Sequence, residues 1–446
     1  MFDVPRCLDV ERFHVGNPGV ELPPSEGWRA AWGERASRDG TAEFRRRAVQ
    51  ECLDTVAVLR SYREPLEGET WMTPAESEQR LLAQVNAILG LGPVALEQVA
   101  QLAIDEDLPD PGRVFASLFV LSCAAGERWL SAIRRIFAVA VMRHAQEAGA
   151  AVEAMGLGPH PGIDACMLLL LDDPQARLRA AAVRVLAYRG TLSEPAWVQA
   201  MRDDDIGVLA AALNAPLCGY DDRLCEQGLL RALGGDNELL VRLALRAGAS
   251  LRLPCTHARA ANLAMRDPAW ADSAHALALH ADLADERRIE AMLYGPGRGH
   301  AVRAAGVMGS ASLVEPLLTL LDDPTSSPQE HALVQRALWL IAGLPAGDAR
   351  QIREAWAACA GAFRSGVRYR VGRVLHVSGL AQLLKLPEAA RAVRQDWYVE
   401  LAGATAWHAP RFSAYDFVGV QQSSLRRLDS WVADSALRPG TAMAMH

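Results

Sequence analysis

Two histidines five residues apart, His275 and His280, are the first candidates for chemistry in this sequence. Imidazoles four apart would stack on one helical face and could share a zinc ion, but at five the rings diverge by about 140°. No acidic residue or cysteine sits at an offset that would complete a ligand set, and Cys255-Thr256-His257 fails for the same reason. Gly295-Pro296-Gly297-Arg298-Gly299-His300 has the glycines of a phosphate-binding loop. It lacks the Gly-Lys-Ser/Thr ending and follows a helical pattern instead of a strand, so it reads as an inter-helix turn. Paired carboxylates occur at Asp172 and Asp173, at Asp203 to Asp205, at Asp221 and Asp222, and at Asp322 and Asp323. Nearly all lie in turns, where aspartate caps the next helix or makes Asx-turns, so capping is favoured over acid/base work. No G-x-S-x-G elbow, H-E-x-x-H helix or Rossmann fingerprint is present. The sequence therefore assigns no catalytic residue, no cofactor site and no metal ligand.

The elements that carry these residues repeat. Leu171, Met201, Leu233, Met265, Leu293 and Leu321 each close an apolar run just before a polar turn, at intervals of 30, 32, 32, 28 and 28 residues. The first and last turns are identical, Leu171-Asp172-Asp173-Pro174 and Leu321-Asp322-Asp323-Pro324. After each turn the apolar residues return with helical spacing: Leu178, Ala182, Val185 and Leu186 in the first unit, Leu333, Ala337, Leu340 and Ile341 in the last. Val241, Leu245, Gly248 and Ala249 keep the pattern more loosely, as do Ala301, Ala305, Met308 and Gly309, and the weakest unit, 266–282, offers only small contacts at Ala274, Ala278 and Ala281. A helical pair of this length cannot bury its own apolar face and must stack on neighbours. The expected fold is all-α: an α-solenoid of helical hairpins with a helical N-terminal region and an aromatic-rich C-terminal cap.

The stretch Ala301 to Gly309 followed by Leu313, Pro316, Leu317, Leu320 and Asp323 resembles a HEAT repeat of the short bacterial kind, as does Asp173 to Gly190 with Arg179 at the HEAT arginine position. The resemblance covers about 160–345. It implies that turn aspartates and helix arginines form a ladder, Asp173 with Arg179 and Asp204 or Asp236 with Arg242.

Composition agrees with a helical body. Half of the residues are hydrophobic while only 6% are aromatic, and alanine, leucine and arginine dominate. Lysine occurs only at Lys385, arginine supplying the other 45 basic residues, which reads as a GC-rich genome more than selection for phosphate binding. A net charge of −7 with no long basic run disfavours general nucleic-acid affinity. The eight cysteines form no CxxC pair and read as reduced core thiols. The N-terminus lacks a basic-then-apolar leader, and the longest near-apolar stretch, Val114 to Ala125, is too short to span a bilayer. The expectation is a soluble cytoplasmic protein without membrane insertion.

Four regions follow. Residues 1–40, with four prolines and Trp28 and Trp32, read as a loop-rich arm packed across the first helices. Residues 41–155 read as long helices, Ala42 to Tyr62, Pro74 to Leu89 with Thr73 as N-cap, Val94 to Ile104, Arg113 to Ala124 and Glu127 to Gly149. Residues 156–345 hold the repeats, and 346–446 form the cap or a partner-binding region, rich in Trp356, Tyr369, Trp397, Tyr398, Trp407, Tyr415 and Trp431.

Outside the repeats, Leu81 to Gly90, Pro111-Gly112-Arg113-Val114-Phe115-Ala116, and Tyr369-Arg370-Val371-Gly372-Arg373 with Glu400-Leu401 are similar to an uncharacterised family of bacterial HEAT-like proteins encoded beside type VI secretion spike and effector genes. That resemblance implies a non-enzymatic scaffold with a protein partner, an adaptor or chaperone for a spike-borne cargo. Competing expectations are an immunity protein that blocks a toxin and a HEAT-like DNA glycosylase gripping a duplex with second-helix arginines. Against the glycosylase stand the acidic net charge and the lack of a tryptophan-plus-aspartate pocket; nothing in the sequence favours the bilin lyases, another HEAT-like group. The candidate partner-binding residues are Arg179, Arg184, Arg242, Arg246, Arg303, Arg336, Trp397 and Trp407.

Overall fold

The computed structural model describes residues 38–66, 69–103, 109–216, 220–251, 253–266, 273–280, 283–324, 326–405 and 408–436. The expected N-terminal arm, with Trp28 and Trp32, lies outside the described residues apart from its last three positions, and so does Trp407. The chain folds as two compact units. One is built from the described residues up to Ala215 together with Tyr415–Gln422, the other from Pro216–Ala414 and from Ser423 onward.

The first unit contains α1 (Arg38–Ser61), α2 (Ala75–Gly90), α3 (Pro93–Leu102), α4 (Pro111–Cys123), α5 (Arg128–Arg143), α6 (Ala145–Leu157), α7 (Ile163–Leu170), α8 (Ala176–Arg189), α9 (Glu194–Ala200) and α10 (Ile206–Leu213). Helices α1, α4, α6, α8 and α10 pack in succession, each on the next. Helix α4 is buried continuously from Val114 to Ser122 because α1, α3, α5 and α6 enclose it, as an all-round apolar helix requires.

Two N-terminal expectations are corrected. The single helix read over Glu127 to Gly149 is two, broken at His144, whose backbone is extended at φ −146° and ψ 144°. No glycine or proline marks that break. The tertiary packing of α5 back onto α6 makes it. Thr73 does not cap α2: Pro74 occupies the cap position without a side-chain hydrogen bond, and Thr73 Oγ1 instead lies 3.3 Å from Thr70 Oγ1.

The second unit contains α11 (Asp222–Leu233), α12 (Glu238–Ser250), α13 (Pro254–Arg266), α14 (Ser273–His280), α15 (Leu283–Met292), α16 (Arg298–Met308), α17 (Val314–Leu321), α18 (Pro328–Ala342), α19 (Ala349–Cys359), a two-stranded hairpin of β1 (Tyr369–Arg370) and β2 (Arg373–Val374), α20 (Val377–Leu383) and α21 (Arg391–Ala404). Helix α22 (Val418–Ala436) starts in residues of the first unit and ends in residues of the second. Helices α12, α14, α16 and α18 stack in order through their sides.

All six predicted run-closing residues fall at the ends of alternate helices, α7, α9, α11, α13, α15 and α17, so the thirty-residue beat is one helical hairpin per repeat. The fold is thus an α-solenoid. The buried faces match for α8, α12 and α16, while in α18 the core set is Val334, Ala337, Leu338 and Ile341, with Leu333 and Leu340 half-exposed. The weak unit packs as expected through small residues, Ala274 and Ala278 being fully buried. Turn carboxylates serve local backbone: Asp205 Oδ1 accepts from Gly207 N at 2.8 Å as the cap of α10, Asp221 caps α11, and Asp173 Oδ1 closes a turn by accepting from Gln175 N at 2.8 Å.

Candidate functional site

The predicted arginines separate into two groups. Arg179 is spent inside the repeat ladder. It donates to Asp203 from Nε at 2.7 Å and from Nη2 at 2.8 Å, and to the Asp173 carbonyl at 2.9 Å. The ladder therefore runs to the next turn and not to the Asp173 carboxylate, which instead accepts from Gln175 N within its own turn. Hydrogen bonding to Arg179 holds the Asp203 carboxyl below its usual range. Arg298 and Asp323 repeat the arrangement in the second unit at 3.2 Å. Arg242 forms an i,i+4 pair with Glu238. Arg246 pairs with Asp396 at 3.2 Å across α12 and α21. Arg184, Arg303 and Arg336 form the other group: each is exposed and has no ion-pair or hydrogen-bond partner among the described residues. Trp397 is only 3% exposed, its ring 6.2 Å from that of Trp339, and it serves as a packing group in the cap.

The densest polar cluster of the second unit is built on the hairpin. A two-residue turn, Val371-Gly372, joins β1 and β2, with Tyr369 opposite Val374 and Arg370 opposite Arg373. Both turn residues have positive φ, 51° and 74°. That is the combination a tight hairpin needs, and it is costly for a β-branched valine. What holds the strain is the docking of this turn on the end of α18. Val371 N donates to Leu340 O at 2.8 Å and Gly372 N to Ile341 O at 3.1 Å. Those carbonyls belong to the last turn of a helix, which has no intrahelical donors left to satisfy them. Gly343 ends α18 at φ 69°, and a side chain there would press on the Val371 carbonyl.

The same segment closes two further helices. Tyr369 N donates to Gly309 O at 2.7 Å at the end of α16, and Arg368 Nε donates to Met308 O at 2.9 Å. Arg368 Nη2 reaches Val307 O at 3.3 Å and Ala278 O, on α14, at 3.4 Å. Arg370 Nη2 also donates to Val307 O. One carboxylate, Glu400 on α21, neutralises both arginines, lying 2.8 Å from Arg368 Nη2 and 3.0 Å from Arg370 Nη2. Arg370 and Glu400 are 2% and 7% exposed. Cations at helix C-termini are favoured by the helix dipole, so one short segment clamps the ends of three consecutive repeat helices.

A cavity of about 50 Å³ remains beside the clamp, lined by Arg246, His275, Gly306, Leu340, Trp397 and Glu400 among others. It has room for water but not for a metabolite, whose pockets begin near roughly 300 Å³. Desolvation lowers the His275 pKa, so its ring is neutral near pH 7. Among the described residues no group of three His, Cys, Asp or Glu side chains is placed to hold a metal ion. No described helix is long and apolar enough to cross a membrane.

A second node lies in the first unit. Arg63 donates to Glu153 at 2.7 Å, to Glu78 at 3.3 Å and to the Tyr415 carbonyl at 2.9 Å, and its guanidinium sits 4.4 Å over the Phe417 ring. Arg60 joins Glu153 at 2.6 Å. Glu78 also accepts from Val418 N at 2.6 Å, placing a buried carboxylate on the N-terminus of α22. Sequence reasoning singled out the stretch holding Arg370 and the dipeptide holding Glu400, but not Arg368, Arg63 or Glu78. A Val-Gly step between Tyr-Arg and Arg-Val was the available hairpin signal.

The hairpin stack and its clamp define a helical-repeat protein. No protein-family model matches the chain, and no curated protein matches it. Among solved structures it is similar to YibA from Escherichia coli, at 12% identity over 65% of this chain and 94% of that one, with a TM-score of 0.31. It is also similar to Kap121p, at 10% identity over 86% of this chain and 45% of that one, with a TM-score of 0.34. With scores this low, the repeat assignment rests on the helix packing of this chain itself.

Proposed function

We propose that this protein is a non-enzymatic scaffold that grips a protein partner along its repeat surface, and that the partner is a type VI secretion spike or effector, with the chain as its adaptor or chaperone. The observation that supports the scaffold reading is the use made of the polar side chains. The charged cluster on the hairpin, Arg368, Arg370 and Glu400, spends donors on the carbonyl ends of repeat helices. Of the candidate arginines, Arg184, Arg303 and Arg336 stand exposed on helices without a partner among the described residues. An architecture that uses its buried chemistry to hold helices and leaves charge on a long repeat face suits binding better than turnover. The secretion link rests on the resemblance carried by Tyr369 to Arg373, Glu400-Leu401 and the two N-terminal stretches.

The test is affinity purification of the tagged full-length protein from its native cells, half of it treated with nuclease, with mass spectrometry of what co-purifies. A nuclease-resistant spike or effector is the expected result. Recovery of nuclease-sensitive nucleic-acid complexes alone would overturn it in favour of a HEAT-like DNA-processing enzyme.

A further inference from the structure

We infer that the seam between α16 and α18 is a docking site for an acidic protein segment. The inference rests on the scaffold reading and adds the chemistry of the partner. Two glycines on α16 set the geometry. A side chain at Gly299 would meet Leu333 at 3.9 Å, and one at Gly306 would meet Ala337 and Leu340, each at 3.1 Å. The two helices thus run side by side in the same direction, closest where Gly306 lies against α18. Arg303 falls between the two contacts on α16 and Arg336 falls between them on α18, so the seam carries two arginines side by side.

Both are exposed, and neither has a partner among the described residues. By contrast Arg179, Arg242, Arg246, Arg298, Arg353 and Arg368 each meet a carboxylate. Like charges on adjoining helices repel, and an anion bound between them relieves that repulsion. Guanidinium forks suit carboxylates, which they can hold through two parallel hydrogen bonds. The half-buried Leu333, Val307 and Leu340 border the arginines and offer apolar contact to a peptide.

Phosphate is the other anion such a pair could hold. A net charge of −7 with no long basic run, however, disfavours a continuous phosphate backbone.

The experiment uses the full-length protein and two fluorescein-labelled probes, a deca-glutamate peptide and a single-stranded DNA oligonucleotide of equal charge, followed by fluorescence anisotropy over a salt series. The variants are Arg303→Glu/Arg336→Glu, the charge-preserving Arg303→Lys/Arg336→Lys, and Arg184→Glu as an exposed control in the other unit. All are surface changes, and circular dichroism verifies the fold. The peptide should bind wild type in a salt-sensitive manner. The glutamate pair should weaken it by about tenfold or more, the lysine pair should retain most of it, and Arg184→Glu should leave it unchanged. Equal binding by the glutamate pair, or tighter arginine-dependent binding of the oligonucleotide, overturns the inference. If the spike or effector still co-purifies with the glutamate pair, the seam assignment falls and the scaffold reading stands. If no protein partner is recovered while the peptide still depends on these arginines, the scaffold reading is the one that fails.

Discussion

The two polar nodes solve the same problem with opposite charge. In the first unit two arginines meet two glutamates, and Glu78 presents its spare oxygen to the N-terminus of α22. In the second unit two arginines share Glu400, and backbone carbonyls at the ends of α14 and α16 accept from their other donors. Helix ends supply the missing charge in both cases, partial positive at an N-terminus and partial negative at a C-terminus. The difference lies in redundancy. Arg63 keeps Glu153 if Glu78 is removed, whereas the buried Arg370 meets Glu400 and no other carboxylate among the described residues.

Glu400→Gln should therefore be the most damaging change. It leaves the buried Arg370 guanidinium facing a neutral amide in place of its carboxylate and takes the same carboxylate from Arg368, at a cost of about 3–5 kcal/mol. Urea denaturation followed by tryptophan fluorescence should show the loss, and hydrogen exchange should place it at 368–373 and the ends of α16 and α18. Glu78→Gln should cost less, about 1–3 kcal/mol, because Glu153 still neutralises Arg63 and an amide oxygen can still accept from Val418 N. Its exchange signature should appear at Tyr415–Gln422. Equal losses from the two variants would break the redundancy argument.

Val371→Asn sharpens the comparison in the other direction. Asparagine tolerates positive φ and makes the Asn-Gly turn that tight hairpins favour, so the variant should gain about 0.5–1 kcal/mol, read as a raised melting temperature. A loss would mean that the valine side chain contributes more packing than its backbone costs.

Acid supplies the smallest and most selective contrast. In the second unit desolvation holds the His275 pKa below its ordinary value of 6.5. As pH falls below that value, the unfolded chain takes up a proton that folded His275 resists, so stability declines. In the first unit hydrogen bonding to Arg179 holds the Asp203 pKa below its ordinary 3.8. That contribution is intact above the carboxylate range and is lost only as pH falls through it. Hydrogen exchange at pH 7, 5.5 and 4 should show the second unit loosening first, and His275→Gln should flatten its response. Simultaneous loosening, or no effect of that variant, would remove His275 as the cause.

The fold was legible in the sequence to the extent that it is local and periodic. Run-closing residues, aspartate caps and apolar offsets of three and four each depend on a few neighbouring residues, and all six repeat helices ended where the pattern placed them. The site was less legible. Arg179 was identified as a ladder residue, but its carboxylate partner sits in the following turn, 24 positions on. The arginine list mixed paired residues with the open cations Arg303 and Arg336, since pairing depends on which turn each side chain reaches. The break at His144 had no marker, because an alanine-rich run continues helical until packing turns the chain.

Residue types at short spacing thus determined an all-α repeat protein and where its hairpins turn. Only the tertiary structure decided which arginines meet carboxylates and which face solvent, and that Arg368 to Gly372 closes three helices at once. The physical reason is that helix formation is a balance of local propensity and apolar period, whereas the state of a charge is set by groups tens or hundreds of residues away: Arg63 by Tyr415, and Arg368 by Ala278 and Glu400.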